Sequence, residues 1–126
     1  MKTIARVLAV AVLFVSVAAL AATSLEGAYK FSSRMKDGAA DMAGWNGNMT
    51  IKGNEMTRNY KSPDGKMDKF YTSTMKPEGD LFVLKHTKAY KPEYVGNEFK
   101  NKITLNGKTL TIESPDGKFK EIWTMK

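Results

Sequence analysis

The sequence predicts an all-β chain rolled into an eight-stranded antiparallel up-and-down β-barrel. Three observations carry this expectation. Past residue 24 the apolar residues recur with period two, in short runs separated by glycine, asparagine, proline or aspartate. Most connections between runs are of hairpin length, so consecutive strands are expected to be antiparallel neighbours. No amphipathic helix is available to cover a one-sided sheet, so its apolar face has to be hidden by curling the sheet onto itself.

At the amino terminus, Lys2 and Arg6 precede an apolar run from Val7 to Ala21 that ends in the small-residue pattern Ala19-Leu20-Ala21. A charged head, an apolar centre and an A-x-A end read as an export signal over residues 1–21, leaving a domain over residues 22–126 in the periplasm or outside the cell. An uncleaved anchor is the alternative, since residues 7–22 approach the roughly 17 to 20 apolar residues of a spanning helix. Cleavage after Ala21 removes Lys2 and Arg6 and lowers the formal net charge from +7 to +5.

Strands are expected at about Leu25 to Arg34, Trp45 to Lys52, Glu55 to Lys61, Lys66 to Met75, Asp80 to His86, Glu98 to Leu105, Thr109 to Glu113 and Phe119 to Met125. Lys52-Gly53-Asn54-Glu55 and Asn106-Gly107-Lys108 offer glycine where a tight turn needs positive φ. Ser62-Pro63-Asp64-Gly65 and Ser114-Pro115-Asp116-Gly117 fit type I turns followed by a left-handed glycine, and Lys76-Pro77-Glu78-Gly79 repeats the idea. The segment Thr50 to Thr57 resembles Thr104 to Thr111, and Gly65 to Thr72 resembles Gly117 to Thr124, at offsets of 54 and 52 residues. Each copy is three strands joined by two hairpins, which fits two halves of one closed sheet. Two connections are longer, Met35 to Gly44 and Thr87 to Asn97. They are either functional loops on a rigid barrel or tolerated insertions.

Composition narrows the function. The 126-residue chain has no cysteine, which excludes disulfides, thiolate metal sites and a cysteine nucleophile. His86 is the single histidine, so sites needing two imidazoles are excluded too. No Asp/Glu pair stands in a recognisable catalytic motif, so neither an enzyme nor a cofactor is expected. Basic residues are scattered among acids rather than gathered in a stripe, which with export argues against nucleic acid. Faces carrying Lys100, Lys102 and Thr104, or Asn46, Asn48 and Thr50, are too polar for a lipid-facing barrel, so a monomer without stable membrane insertion is expected.

The opening strand, Leu25-Glu26-Gly27-Ala28-Tyr29-Lys30, resembles the Gly-x-Trp element that begins lipocalin-like (calycin) domains, with tyrosine in place of tryptophan. The end of the chain, from Leu110-Thr111-Ile112 through Ser114-Pro115-Asp116-Gly117-Lys118 to Glu121-Ile122-Trp123, is similar to the last hairpin of small bacterial members. The last strand lacks the arginine that many lipocalins carry there. This resemblance implies a barrel whose internal cavity takes a small apolar or amphipathic molecule.

Strand parity names the interior. Leu25, Gly27, Tyr29 and Phe31 share one face, as do Trp45, Gly47, Met49 and Ile51, and then Met56, Arg58 and Tyr60. Met67, Lys69, Tyr71 and Met75 follow, then Phe99, Asn101, Ile103 and Leu105, Leu110 and Ile112, and finally Phe119, Glu121, Trp123 and Met125. In the fifth strand Leu81 to Leu84 are all apolar, and cover on both faces is one explanation. Candidate ligand contacts are Tyr29, Trp45, Met56, Arg58, Tyr60, Tyr71, Asn101 and Trp123, with Arg58 as a planar donor for a carboxylate. A slipped register would instead turn Lys69 and Glu121 outward. The methionines are expected to pack the core rather than bind Cu(I), and His86 to face solvent. Tyr90 and Tyr94, in the second long connection, either fold over the barrel mouth or anchor a protein partner. The latter would make the chain an inhibitor of a lysozyme or protease.

Overall fold

The computed structural model describes residues 24–126, so the expected export signal lies outside the described residues. Alternation and turn chemistry build β1 (Gly27–Lys36), β2 (Ala39–Asp41), β3 (Asn46–Lys52), β4 (Glu55–Lys61), β5 (Asp68–Glu78), β6 (Leu81–Ala89), β7 (Glu98–Asn106), β8 (Thr109–Glu113) and β9 (Phe119–Met125). From β3 to β9 each strand pairs antiparallel with the next, β1 pairs with β3, and β9 pairs back with β1. Eight strands thus close an up-and-down barrel. The short β2 is additional, lying beside the far half of β1.

The Met35 to Gly44 connection is therefore not an open loop. β1 runs on to Lys36, and Asp37 and Gly38, at φ 53° and 79°, make the tight hairpin into β2. Asp-Gly with both residues at positive φ matches the twist of a two-residue hairpin, a signal present in the sequence. The third proline-containing turn also needs correction. Pro77 lies within β5 opposite Phe82, and the turn is Gly79-Asp80. Proline is tolerated there because β4 pairs with β5 only as far as Thr74, which leaves Pro77 on a locally unpaired edge.

The two Ser-Pro-Asp-Gly turns carry the same bonds, as their repeat implies. Ser62 Oγ and Ser114 Oγ each donate to the aspartate two residues on at 2.6 Å. Each hydroxyl also accepts from a backbone N–H at 3.0 Å, Met67 in one turn and Phe119 in the other.

The barrel has two unlike ends. Turns β3–β4, β5–β6 and β7–β8 gather at one, where Leu25, Met49, Ile51, Met56, Met75, Leu110 and Ile112 form a packed apolar core. Each such side chain contributes about 1.5–3 kcal/mol on burial. Leu25 closes this end, its carbonyl accepting from Tyr29 Oη at 2.5 Å. Toward the opposite end of β3, beside Phe31 and Trp123, Gly47 lets the strands approach closely: a Cβ there would lie 2.6 Å from the Asn59 carbonyl and 3.0 Å from Phe31 Cβ. At the other end sit turns β1–β2, β4–β5 and β8–β9 and the β6–β7 loop, with one 3-10 turn at Pro92–Tyr94.

Two β-bulges decide what faces inward. Phe31 pairs with Trp123 but Ser33 pairs with Ile122, so Ser32 is an extra residue in β1. Alternation reverses there, and Arg34 turns inward although strict parity sets it out. Thr72 pairs with Lys88 and Ser73 with His86, so Thr87 is the extra residue in β6. Elsewhere β6 alternates regularly, with Phe82, Leu84 and His86 buried, so double-sided cover is not its explanation. His86 is thus corrected from solvent-facing to 5% exposed. Met67 and Phe99, expected inside, are 49% and 47% exposed, because the first precedes β5 and the second sits near the barrel rim. Glu121 points inward with no exposure, and Lys69 is half-buried.

Candidate functional site

Above the apolar core the interior becomes polar. Glu121 of β9, fully buried, accepts from three neighbours that the fold brings around it. Arg34 of β1 donates through Nε at 2.8 Å and a terminal nitrogen at 2.5 Å to Oε2. Tyr60 Oη of β4 lies 2.8 Å from Oε1, and Trp123 Nε1 donates to the same oxygen at 2.7 Å. Rings of Phe31, Tyr60 and Trp123 pack edge-on around this layer, with centroids 5.3 to 5.6 Å apart.

This layer floors a cavity of about 650 Å³ that reaches the surface at the loop end. Arg58, Tyr60, Tyr71, Leu84, His86 and Asn101 line its walls, and Tyr94, Phe99 and Lys36 its upper part. Such a volume fits one small ligand in an eight-stranded barrel.

Charge in the cavity is unbalanced. Two guanidiniums share one buried carboxylate, and Arg34 holds it at closer range while also reaching Asp41 at 3.7 Å. Arg58, 8% exposed, is 3.7 Å from Glu121 Oε1 and donates to Tyr60 Oη at 3.3 Å. Its Nε has no hydrogen-bond partner among the described residues. An unpaired donor on a buried cation costs on the order of 1–3 kcal/mol or more.

Protonation follows from these contacts. Burial alone would pull the Arg34 pKa down, but the Glu121 charge and hydrogen bonds raise it well above its ordinary value, so the guanidinium stays charged. Burial, with Glu121 adding to it, raises the Tyr60 phenol far above neutral pH and keeps it a donor. Tyr71 is pushed up to about 12, first by burial and then by Tyr90. His86 is lowered to about 4 by burial and by the Arg58 charge, so its ring is neutral at pH 7. Its Nδ1 lies 2.8 Å from the buried Ser73 hydroxyl.

Of the residues that parity singled out, Arg58, Tyr60, Tyr71 and Asn101 are brought together on the cavity wall. Tyr29 and Met56 lie in the apolar core instead. Trp123 is one layer behind, packed edge-on against the lining residue Tyr60 and donating to Glu121. Trp45 packs half-buried at the edge of the core, with Lys69 Nζ 5.3 Å from its ring. Arg34, Leu84 and His86 were not singled out, whereas Tyr94 was expected either to fold over the barrel mouth or to anchor a partner. The Phe82-x-Leu84-x-His86 alternation could have found two of them, whereas Arg34 is hidden by the Ser32 bulge. Tyr94 stacks on Tyr71 at 6.4 Å and Tyr90 meets it edge-on at 5.7 Å, which packs the loop against the cavity wall.

Among the described residues no helix is long and apolar enough to cross a membrane, and no group of three or more His, Asp or Glu is placed to hold a metal ion. No family model matches the chain, and neither a curated protein nor a solved structure matches it. Fold and site together define a closed eight-stranded antiparallel β-barrel with a polar-floored interior cavity.

Proposed function

We propose that this chain is an exported, lipocalin-like barrel that binds a small amphipathic molecule in its interior, with an anionic head group on Arg58 and an apolar body against the aromatic wall. One observation carries the reading: a buried guanidinium with an unpartnered Nε faces a cavity of about 650 Å³. A planar cation with donors to spare suits a carboxylate or comparable acid, whose binding would offset the desolvation that Arg58 bears without it. Tyr71, Leu84 and Phe99 supply contact for the rest of the molecule. An inhibitor acting through its loops needs Tyr90 and Tyr94 presented outward, and their packing on Tyr71 supports the interior reading over that one.

To test this, purified protein is denatured, its extract analysed by mass spectrometry, and the emptied protein titrated with an environment-sensitive fatty-acid probe. Probe uptake is expected, with Arg58→Ala weakening it about 10- to 100-fold, the loss of one charge-assisted hydrogen-bonded contact. No extracted small molecule, no uptake and no response to the substitution would overturn the reading.

A further inference from the structure

Scattered exposed apolar side chains are ordinary on a protein surface. Here they are not scattered. Among the described residues the exposed large hydrophobics are Met35, Met67, Phe70, Val95 and Phe99, each 46% to 49% exposed. Met35 is next to the last residue of β1, Met67 is in the β4–β5 turn, Phe70 is the third residue of β5, Val95 is in the β6–β7 loop and Phe99 is the second residue of β7. All five therefore ring the end where the cavity reaches the surface. The closed-end turns hold Gly53-Asn54, Gly79-Asp80 and Gly107-Lys108 instead.

Lysines accompany this rim. Lys36 and Lys66 are immediate chain neighbours of Met35 and Met67, whereas Lys69 is held over the Trp45 ring and Lys100 is paired with Glu78 at 2.9 Å. Lys91 Nζ sits 5.8 Å from both the Tyr90 and Tyr94 rings. Several acids at this end are engaged locally: Asp64 and Asp116 by their turn serines, and Asp41 by Arg34. Apolar side chains that dip into a bilayer, with lysines reaching past them to the head groups, make a peripheral membrane contact.

We propose that the mouth end of the barrel docks on the surface of an anionic lipid bilayer, so that the cavity opens against the lipid. The formal net charge, +7 with residues 1–21 and +5 without them, favours an anionic surface and opposes a second copy approaching rim to rim. This contact rests on the rim and not on the ligand reading, although it would give the cavity direct access to lipid-derived molecules.

The test is vesicle flotation of the chain expressed from Met1, whose measured mass records whether residues 1–21 remain. A retained leader contributes equally to parent and variants, so the differences between them report the rim. Partition into phosphatidylglycerol-containing vesicles is expected to exceed that into phosphatidylcholine alone by roughly tenfold, and to fall as salt rises from about 0.1 M to about 1 M. The triple variant Met67→Ser, Phe70→Ser, Val95→Ser is expected to lose roughly tenfold in partition while keeping probe uptake from solution. Lys66→Glu with Lys91→Glu is expected to do the same, and Lys52→Glu with Lys108→Glu, at the closed end, to change partition far less. Equal loss from both lysine pairs, unchanged flotation of the triple variant, or a rim-dependent dimer with no flotation would each overturn the proposal. Arg58→Ala separates the two readings, since it is expected to weaken probe uptake and leave flotation intact.

Discussion

Arg34 and Glu121, 87 residues apart in the chain, meet across the seam where β1 pairs with β9 and closes the barrel. Their pairing depends on the Ser32 bulge, which turns Arg34 from the outer face to the inner one. Closure and the polar floor of the cavity are thus one structural event. The guanidinium that ties the seam also holds the carboxylate to which Tyr60 and Trp123 donate.

Glu121→Ala is expected to destabilise the fold by about 3–5 kcal/mol, because it strands the two guanidiniums, the Tyr60 hydroxyl and the indole N–H around one lost acceptor. Urea unfolding at pH 7 measures it. Adding Arg34→Ala is expected to cost less than the sum of the two single changes, the mark of a coupled pair. Strict additivity would deny that the two groups act together.

Gly47→Ala probes the close approach of β3 to its neighbours. The added methyl would meet the Asn59 carbonyl at 2.6 Å, a backbone atom held in the β3–β4 ladder, so it cannot be relieved by a rotamer change. A loss of about 1–3 kcal/mol is expected, as for other overpacked core positions. An unchanged urea midpoint would mean that the strands part without cost.

His86 gives the stability a pH dependence with a definite sign. Its folded pKa is about 4 against an ordinary 6.5, so in that interval the unfolded chain takes up a proton that the folded one refuses. Stability from this group is complete above pH 6.5 and is lost as pH falls through 4. Because the ring lines a cavity that reaches the surface, solvent screening discounts the effect to about 1–2 kcal/mol. Because His86 is the single histidine, its ring resonances are read without assignment ambiguity. Titration near 4, and a flatter stability profile for His86→Gln between pH 6.5 and 4, are expected. A ring that titrates near 6.5 would place His86 in solvent.

The barrel was legible in the sequence because a period of two fixes a face, and the glycine turns at Gly53 and Gly107 fix the register around it. Arg58, Tyr60, Tyr71 and Asn101 reached the cavity by that rule alone, each lying on a stretch without irregularity. Arg34 did not, since one unpaired residue reverses every side chain beyond it and nothing in the residues Phe31-Ser32-Ser33 distinguishes a bulge from a continued strand. Met67 shows the opposite limit: parity assigns a face only to residues that belong to a strand, and β5 begins at Asp68. Glu121 was visible as an inward acid, but its partner lies 87 residues away, a distance that only closure of the sheet spans.

Arg58 is where binding and stability are expected to part. Its guanidinium is buried with one donor unpartnered, and Arg34 already neutralises Glu121 at shorter range. Replacing a whole buried ion pair by apolar groups is often neutral or stabilising by about 1–4 kcal/mol, and removing one partner is costly only when it leaves the other charge unpaired; here Arg34 remains on Glu121. Arg58→Met is therefore expected to leave the urea midpoint unchanged or raise it, while weakening uptake of the anionic probe and sparing uptake of its neutral ester. A residue kept for packing would behave the other way, losing stability on substitution with no preference between acid and ester. Measured together, the two quantities decide whether this cation sits in the barrel wall for the fold or for what the barrel holds.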